Sequence, residues 1–167
     1  MIKHKIKTTD EVSIYTRQYR YPQIYKTEIK KQIKDLLEKD VIQQSFSPWS
    51  SPVWVVPKKK EASNEKKFRM VMDYRKLNAK TIDDKFPIPN ITEVLDKLGK
   101  NIYFTTLDPT SGFHQIEMDE ESIPKIAFNT DEGHFEFKRM PFRLKNAPAT
   151  FQRVMNYVLK TKSTRDV

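Results

Sequence analysis

The sequence predicts an α+β fold for its 167 residues. Three segments carry apolar side chains at the spacing of an amphipathic helix, and the runs between them are short and rich in β-branched and aromatic residues. Several of these runs come in neighbouring pairs that read as hairpins. Because a parallel sheet needs strands and helices in alternation, the order of helix, strands, helix, strands and helix favours α+β over parallel α/β.

The N-terminal part predicts an arm, a helix and a strand pair. Residues 1–23 alternate irregularly and are expected to be extended, and residues 24–39 predict a surface helix with one apolar stripe. Two prolines and four serines in residues 45–52 then interrupt regular structure. Residues 53–57 predict a buried strand, and residues 68–74, which alternate between two faces, predict its partner.

A second, short helix is predicted near the middle of the chain. Asn90 is a candidate cap, with Glu93 as its reciprocal partner and Gly99 just past the helix end. We expect its apolar stripe to be buried, namely Ile91, Val94, Leu95 and Leu98.

The C-terminal part predicts more strands and a final helix. Residues 103–107 and 113–118 read as two short strands, and residues 125–130 and 134–140 as a hairpin around an Asp-Glu-Gly turn. Residues 147–160 read as a helix. Its predicted buried side chains are Phe151, Val154, Met155 and Val158.

Charge is distributed unevenly along the chain. The net charge is +9, and residues 1–100 hold 22 Lys and Arg against 13 Asp and Glu, whereas residues 101–167 hold 9 of each. A basic field on one part of a protein favours a polyanionic partner, and nucleic acid ahead of a membrane because no basic amphipathic membrane helix accompanies it. A lysine-rich solvated surface explains the same numbers.

Composition excludes several other classes. The chain has no cysteine, which removes disulfides and thiolate metal sites, and its three histidines are too scattered for a zinc cluster and read as ordinary surface or strand residues. No apolar run approaches the length of a membrane span, and the first residues lack the apolar core of a signal peptide. We therefore expect a soluble, intracellular protein without membrane partners.

One carboxylate stands out by its position. Asp108 ends the predicted strand 103–107 and is followed by the small turn residues Thr110, Ser111 and Gly112. An acid at a strand end, beside backbone N–H groups that point outward, suits a divalent cation and its phosphates. An aspartate before a turn is also common without any function.

The lysine-rich connection 58–67 could likewise bind phosphates or only aid solubility.

Six blocks in order resemble the reverse transcriptase of gypsy-type long-terminal-repeat retrotransposons. The match runs from about Tyr21 to Leu159, and the order of the blocks makes it specific. The blocks are Ser47-Pro-Trp-Ser-Ser-Pro-Val53, Phe68-Arg-Met-Val-Met-Asp-Tyr-Arg-Lys-Leu-Asn78, Phe86-Pro-Ile-Pro89, Leu107-Asp-Pro-Thr-Ser-Gly-Phe-His-Gln-Ile116, Lys125-Ile-Ala-Phe128 and Met140-Pro-Phe-Arg-Leu-Lys-Asn-Ala-Pro-Ala-Thr-Phe-Gln152.

The resemblance implies the fingers and part of the palm of a right-hand polymerase. An N-terminal arm would span residues 1–20, the fingers residues 21–85 and 117–146, and the palm residues 86–116 and 147–167. The implied partners are an RNA template, an RNA/DNA primer-template and deoxynucleoside triphosphates. The implied location is the cytoplasm or retrotransposon particles within it.

The resemblance also implies a nucleotide site. Lys58 and Arg69 match fingers residues that grip the incoming triphosphate, and Arg supplies a planar fork for it. Ser111 and Gly112 lie where backbone N–H groups meet the phosphates. Phe113 matches an aromatic gate that rejects the ribose 2′-hydroxyl, so the implied product is DNA.

Catalysis and template binding complete the implied roles. Asp108 matches the first of three aspartates that hold two Mg²⁺ ions for an in-line displacement. Arg75, Lys145 and Pro148 are the template-side candidates.

Three features depart from the family pattern. The 59 residues after Asp108 contain no Asp-Asp pair, so the 167 residues stop before the second catalytic motif and the thumb and are not expected to polymerise alone. Pro109 replaces an aliphatic residue, and Arg143 replaces a glycine whose backbone could need positive φ. Together these departures suggest a degenerate copy of the element.

Two non-catalytic interpretations remain open at this point, a nucleic-acid-binding remnant and an interaction module that uses the same scaffold. The missing palm neighbours also predict an uncovered helix face, an exposed strand edge and a tendency to aggregate.

Overall fold

The computed structural model describes residues 2–57, 68–99 and 101–163 of the chain. It confirms the α+β class. In chain order the elements are α1 (Gln23–Glu38), β1 (Ile42–Gln44), β2 (Val53–Pro57), β3 (Phe68–Met72), α2 (Arg75–Lys80), α3 (Ile91–Leu98), β4 (Phe128–Thr130), β5 (Gly133–Phe137) and α4 (Ala147–Ser163), with 3₁₀ turns at Gly112–Gln115 and Ile123–Ile126. No helix in the described ranges is long and apolar enough to cross a membrane.

A three-stranded antiparallel sheet forms the centre of the core. Its order is β1-β5-β4, so that β5 pairs with β1 on one side and with β4 on the other. Phe128 lies opposite Phe135 and is fully buried. The hydroxyl of Tyr74 donates to the Ile126 carbonyl at 3.1 Å, and burial raises the pKa of this phenol. The predicted hairpin at 125–140 is confirmed, although residues 123–126 form a 3₁₀ turn before β4 begins.

The second sheet is the predicted hairpin of β2 and β3. The two strands pair antiparallel with Val53 opposite Met72 and Pro57 opposite Phe68. The prediction of a buried β2 is only partly right, because Val53 is buried while Trp54 is 47% exposed. The edge of β3 that does not pair with β2 is hydrogen-bonded to the Gln32 side chain of α1. The Gln32 amide donates to the Phe68 carbonyl and its oxygen accepts from the Met70 N–H.

The N-terminal arm is extended as predicted and is tied down along its length. Its backbone bridges from His4 to Met118 and from Thr8 to Thr81. His4 is only 1% exposed, so of the two predicted alternatives the surface histidine is wrong and the strand histidine is right. Its Nδ1 lies 2.8 Å from the Thr150 Oγ1, and burial lowers its pKa to about 4.

Helix α3 forms where predicted but does not bury its apolar stripe. The Asn90 carboxamide accepts a bond from the Thr92 N–H at 3.0 Å, which confirms the cap. Gly99 keeps a right-handed conformation with φ −58°. The four stripe residues are 38% to 77% exposed, so their predicted burial is wrong and the predicted uncovered helix face is confirmed. The four residues have the spacing of a buried helix face, but no surface formed by the described residues packs against them.

The two strands predicted around Asp108 are absent from the described structure. Residues 101–111 are all exposed and form no strand, because β-propensity cannot hold a strand that lacks a hydrogen-bonded neighbour. The predicted strand 113–118 is instead a 3₁₀ turn followed by single bridges at Glu117 and Met118. In α4, Phe151, Val154 and Met155 are half-buried, whereas Val158 is exposed.

Arg143 adopts the left-handed conformation that was predicted from its replacement of a family glycine. Its φ is +71°, a value that costs an L-residue about 1–2 kcal/mol. The turn around it is fixed by the Asn78 side chain, whose amide donates to the Arg143 carbonyl at 2.8 Å and whose oxygen accepts from the Lys145 N–H at 2.9 Å. The chain therefore holds this turn although its sequence does not favour it.

Candidate active site and nucleic-acid interface

A cleft of about 550 Å³ is lined by residues of α1, of β3 and of the turn before α4. Arg69 enters it from the strand, and Phe142 and Arg143 enter it from the turn before α4. Its other lining residues are Gln32, Asp35, Leu36, Met70, Val71, Met72, His114, Phe137 and Pro141. Arg69 is exposed and makes no ion pair with any of the described acidic residues.

Phe113 is held in place by other aromatic rings next to this cleft. Its ring centroid lies 5.1 Å from that of Phe142 and 5.2 Å from that of Phe151. Because Phe142 also lines the cleft, Phe113 and Arg69 belong to one connected surface. Burial, together with the nearby Lys39, lowers the pKa of His114, whose ring packs on Phe142. A half-buried ring that is packed against two other rings can sterically exclude a larger group from the space beside it.

The turn before Phe113 requires its small residues. Ser111 has φ +49°, and the Gly112 N–H donates to the Pro109 carbonyl at 3.1 Å. A Cβ on Gly112 would lie 3.0 Å from the Phe151 ring and 3.2 Å from the Pro109 ring. Any larger residue at this position would have to displace these rings slightly, so glycine suits the close packing. Its N–H is engaged within the turn, so the phosphate contact predicted for it needs a shift of this turn.

Asp108 stands exposed at the start of the same turn. Its carboxylate makes no hydrogen bond or ion pair within the described residues, which leaves all of its oxygens available to a cation. No group of three or more histidines, aspartates and glutamates in the described ranges is arranged to hold a metal ion. One exposed carboxylate does not fit a pair of Mg²⁺ ions, each of which needs several oxygen ligands.

The predicted template-side residues lie on the surface, and two of them are already ion-paired. Arg75 contacts Asp73 through two nitrogens at 2.9 and 2.6 Å, and this bond lowers the pKa of Asp73. The Lys145 ammonium lies 2.7 Å from Asp83 and donates to a backbone carbonyl. Pro148 is exposed in the first turn of α4. Binding to phosphate would have to compete with these exposed pairs, which are individually weak.

Sequence reasoning missed an aromatic platform beside Arg75. The rings of Tyr19 and Trp54 lie 5.1 Å apart and are both about half exposed. Trp54, Arg75 and Arg143 line one further depression of about 400 Å³. Neighbouring residues of a strand point to opposite faces, so Trp54 points away from the face of the buried Val53. This alternation could have predicted an exposed Trp54, but the uniformly apolar composition of residues 53–57 favoured a fully buried strand. Lys58, the remaining predicted triphosphate contact, lies outside the described residues.

Comparison with known families gives a match over most of the chain. Residues 56–166 match the family described as reverse transcriptase (RNA-dependent DNA polymerase). Two similar proteins of Drosophila melanogaster are the retrovirus-related Pol polyproteins from transposons 297 and gypsy. The first is 56% identical over 159 residues, which are 95% of this chain and 15% of the relative, and the second is 42% identical over 93% of this chain and 15% of the relative. The chain thus spans about a seventh of these relatives.

Solved structures agree with this assignment. The native protease-reverse transcriptase of prototype foamy virus superposes with a TM-score of 0.81 at 29% identity, over 95% of this chain and 21% of that one. A foamy viral protease-reverse transcriptase in complex with an RNA/DNA hybrid gives a TM-score of 0.77 at 26% identity, with the same two coverages. The chain therefore belongs to the reverse transcriptase (RNA-dependent DNA polymerase) family, among the Pol polyproteins of retrotransposons.

Proposed function

We propose that this chain is the fingers and the first part of the palm of an RNA-directed DNA polymerase. In this proposal the fingers comprise residues 21–85 and 117–146 and the palm residues 86–116 and 147–167. One observation carries it: the Asp108 turn leads directly into Phe113, and Phe113 packs on Phe142, which lines the Arg69 cleft. An exposed acid, a half-buried aromatic ring and an arginine without an acidic partner in the described part of the chain are thus connected through Phe142.

The proposed nucleotide site uses these groups for different parts of the substrate. Arg69, with Lys58, would neutralise the triphosphate of the incoming deoxynucleotide, since a guanidinium binds phosphate oxygens through a planar fork. Phe113 would exclude a 2′-hydroxyl by contact with the sugar. The volume of the cleft lies in the range of small-molecule sites, about 300–1,000 Å³. Ser111 and Gly112 would approach the phosphates through their backbone.

The proposed template path crosses the surface formed by Trp54, Arg75, Lys145 and Pro148. Exposed aromatic rings stack on unpaired bases with about 1–3 kcal/mol per base, and neighbouring cations hold the backbone. The foamy viral relative was solved with an RNA/DNA hybrid, and this supports the same class of partner here.

Asp108 would supply one ligand for Mg²⁺. The complete family site uses three aspartates for two ions, and the 59 residues after Asp108 contain no Asp-Asp pair. We therefore expect the 167 residues to bind primer-template without extending it. Non-catalytic binding of nucleic acid is the second candidate function, and the strained turn at Arg143 favours it.

A primer-extension assay on an RNA template separates the two candidates. The 167-residue chain is compared with a version that continues, after residue 167, with the next segment of the transposon 297 relative. We expect DNA product from the extended version and none from the shorter one. Product from the shorter chain would refute its predicted inactivity, and an extended version that binds the hybrid but makes no product would leave binding alone as the function.

A further inference from the structure

A second groove, with a volume of about 450 Å³, lies between the N-terminal arm and the start of α4. Among its ten lining residues five are cationic and two are acidic. The cations are Lys3, Lys5, Lys7, Lys85 and Arg153. None of them has a role in the function proposed above.

The extended backbone of the arm places its three lysines on the same, solvent-facing side. His4 and Ile6 are 1% and 3% exposed, so strand alternation places the residues on either side of them on the outer face. The arm is bonded on both flanks: the His4 N–H donates to the Glu117 carbonyl at 2.8 Å, and the Lys7 carbonyl accepts from the Ile82 N–H at 2.9 Å. Successive lysines therefore stand about 6.5–7 Å apart in one row.

The acids of the groove are already neutralised. Asp84 accepts two bonds from Arg153 at 2.9 Å, and Asp83 pairs with Lys145 at 2.7 Å. Lys7 and Lys85 have no ion-pair partner within the described residues. Lys3 lies 3.5 Å from Glu120 and Lys5 lies 2.7 Å from Glu121, and both of these exposed pairs are individually weak. Lys5 also lies 3.9 Å from the less exposed Asp119. Among the lining residues the cations therefore outnumber the acids by five to two.

We propose that this groove binds the phosphates of the template strand and that Lys3, Lys5 and Lys7 are its principal contacts. The inference rests on the proposed function, since Lys145 joins the groove through Asp83 to the template path. A row of evenly spaced cations in a concave channel matches a linear polyanion better than a flat membrane surface. An acidic protein segment is the competing occupant, and the experiment includes it.

The test uses fluorescence anisotropy of the 167-residue chain with a labelled RNA/DNA hybrid that carries a single-stranded template overhang. The arm variant is Lys3→Gln/Lys5→Gln/Lys7→Gln. The control is Lys30→Gln/Lys31→Gln/Lys34→Gln on α1, which removes the same charge. It is closely matched, because Lys30 and Lys34 also pair with exposed glutamates and Lys31, like Lys7, has no ion pair among the described residues.

We expect the arm variant to bind the hybrid at least about tenfold more weakly near 0.1 M salt. The slope of log K against log salt should become shallower by about 2–3, because each lost phosphate contact lowers the magnitude of this slope by about 0.7–0.9. The control should stay within twofold of the wild type. Equal losses in both variants, or none in the arm variant, would overturn the proposal. So would tighter arm-dependent binding to poly-glutamate than to the hybrid.

Two readouts keep the outcomes separate. If the wild type binds no hybrid, the proposed function fails as well, whereas wild-type binding that the arm variant retains refutes only the arm groove. Lysine acetylation of the wild type, followed by mass spectrometry, needs no folded variant: bound hybrid should protect Lys3, Lys5 and Lys7 and leave Lys30, Lys31 and Lys34 reactive. The reverse pattern of protection would contradict the inference.

Discussion

Replacement of Asp108 by asparagine is expected to reduce primer extension by the extended version at least about a thousandfold. The amide keeps the size of the side chain but lacks the negative charge that a hard divalent cation selects, and stabilisation of transition-state charge by such ions amounts to several kcal/mol. Asp108 is exposed and makes no intramolecular bond within the described chain, so the substitution should leave the fold unchanged. Steady-state incorporation on an RNA template measures the loss.

Asp96→Asn is a suitable control for this effect. Asp96 is an exposed carboxylate on α3 of the same proposed palm segment, and it has no ion pair among the described residues. Its replacement should leave the rate within twofold. If Asp108→Asn retained more than about a tenth of the activity, Asp108 would not be a metal-binding residue.

Replacement of Phe113 by alanine is expected to lower the preference for deoxynucleotides over ribonucleotides by about a hundredfold in the extended version, a change of about 2.7 kcal/mol. The ring is clamped between Phe142 and Phe151 and cannot move aside for a larger sugar. Removal of the ring opens that space. The ratio of kcat/KM for dCTP and CTP measures the change.

Phe113→Tyr provides the matched control because it keeps the ring and should keep the preference within a few fold. Loss of a half-buried phenyl group also costs stability, so thermal unfolding of both variants belongs to the experiment. An unchanged kcat/KM ratio in a folded Phe113→Ala protein would show that the gate lies elsewhere.

Elements whose partners are close in sequence could be predicted well. The hairpin of β2 and β3 followed from one apolar run and one alternating run, and α1 followed from one apolar stripe. Each of these depends on local spacing and on a neighbour that the described chain contains. The predictions that failed are the burial of the α3 stripe and the strand at residues 103–107, because no described residue packs on the stripe or pairs with that segment.

The site was predicted as residues and not as an arrangement. Arg69 and Phe113 were predicted as site residues from the sequence, but their connection through Phe142 depends on a turn that brings distant segments together. The ion pairs of Arg75 with Asp73 and of Lys145 with Asp83 likewise could not be read from spacing. The bond from His4 to Thr150 joins residues 146 positions apart, and it fixes the arm whose lysines line the second groove.

Amide hydrogen exchange of the 167-residue chain, with and without a saturating RNA/DNA hybrid, tests most directly whether the surface around Asp108, Phe113 and Arg69 binds primer-template. We predict several-fold slower exchange at residues 108–115 and 141–146 when the hybrid is bound, and no change at the β4–β5 turn of residues 131–132. Unchanged exchange at residues 108–115, with protection confined to α1 and residues 131–132, would contradict the proposed function.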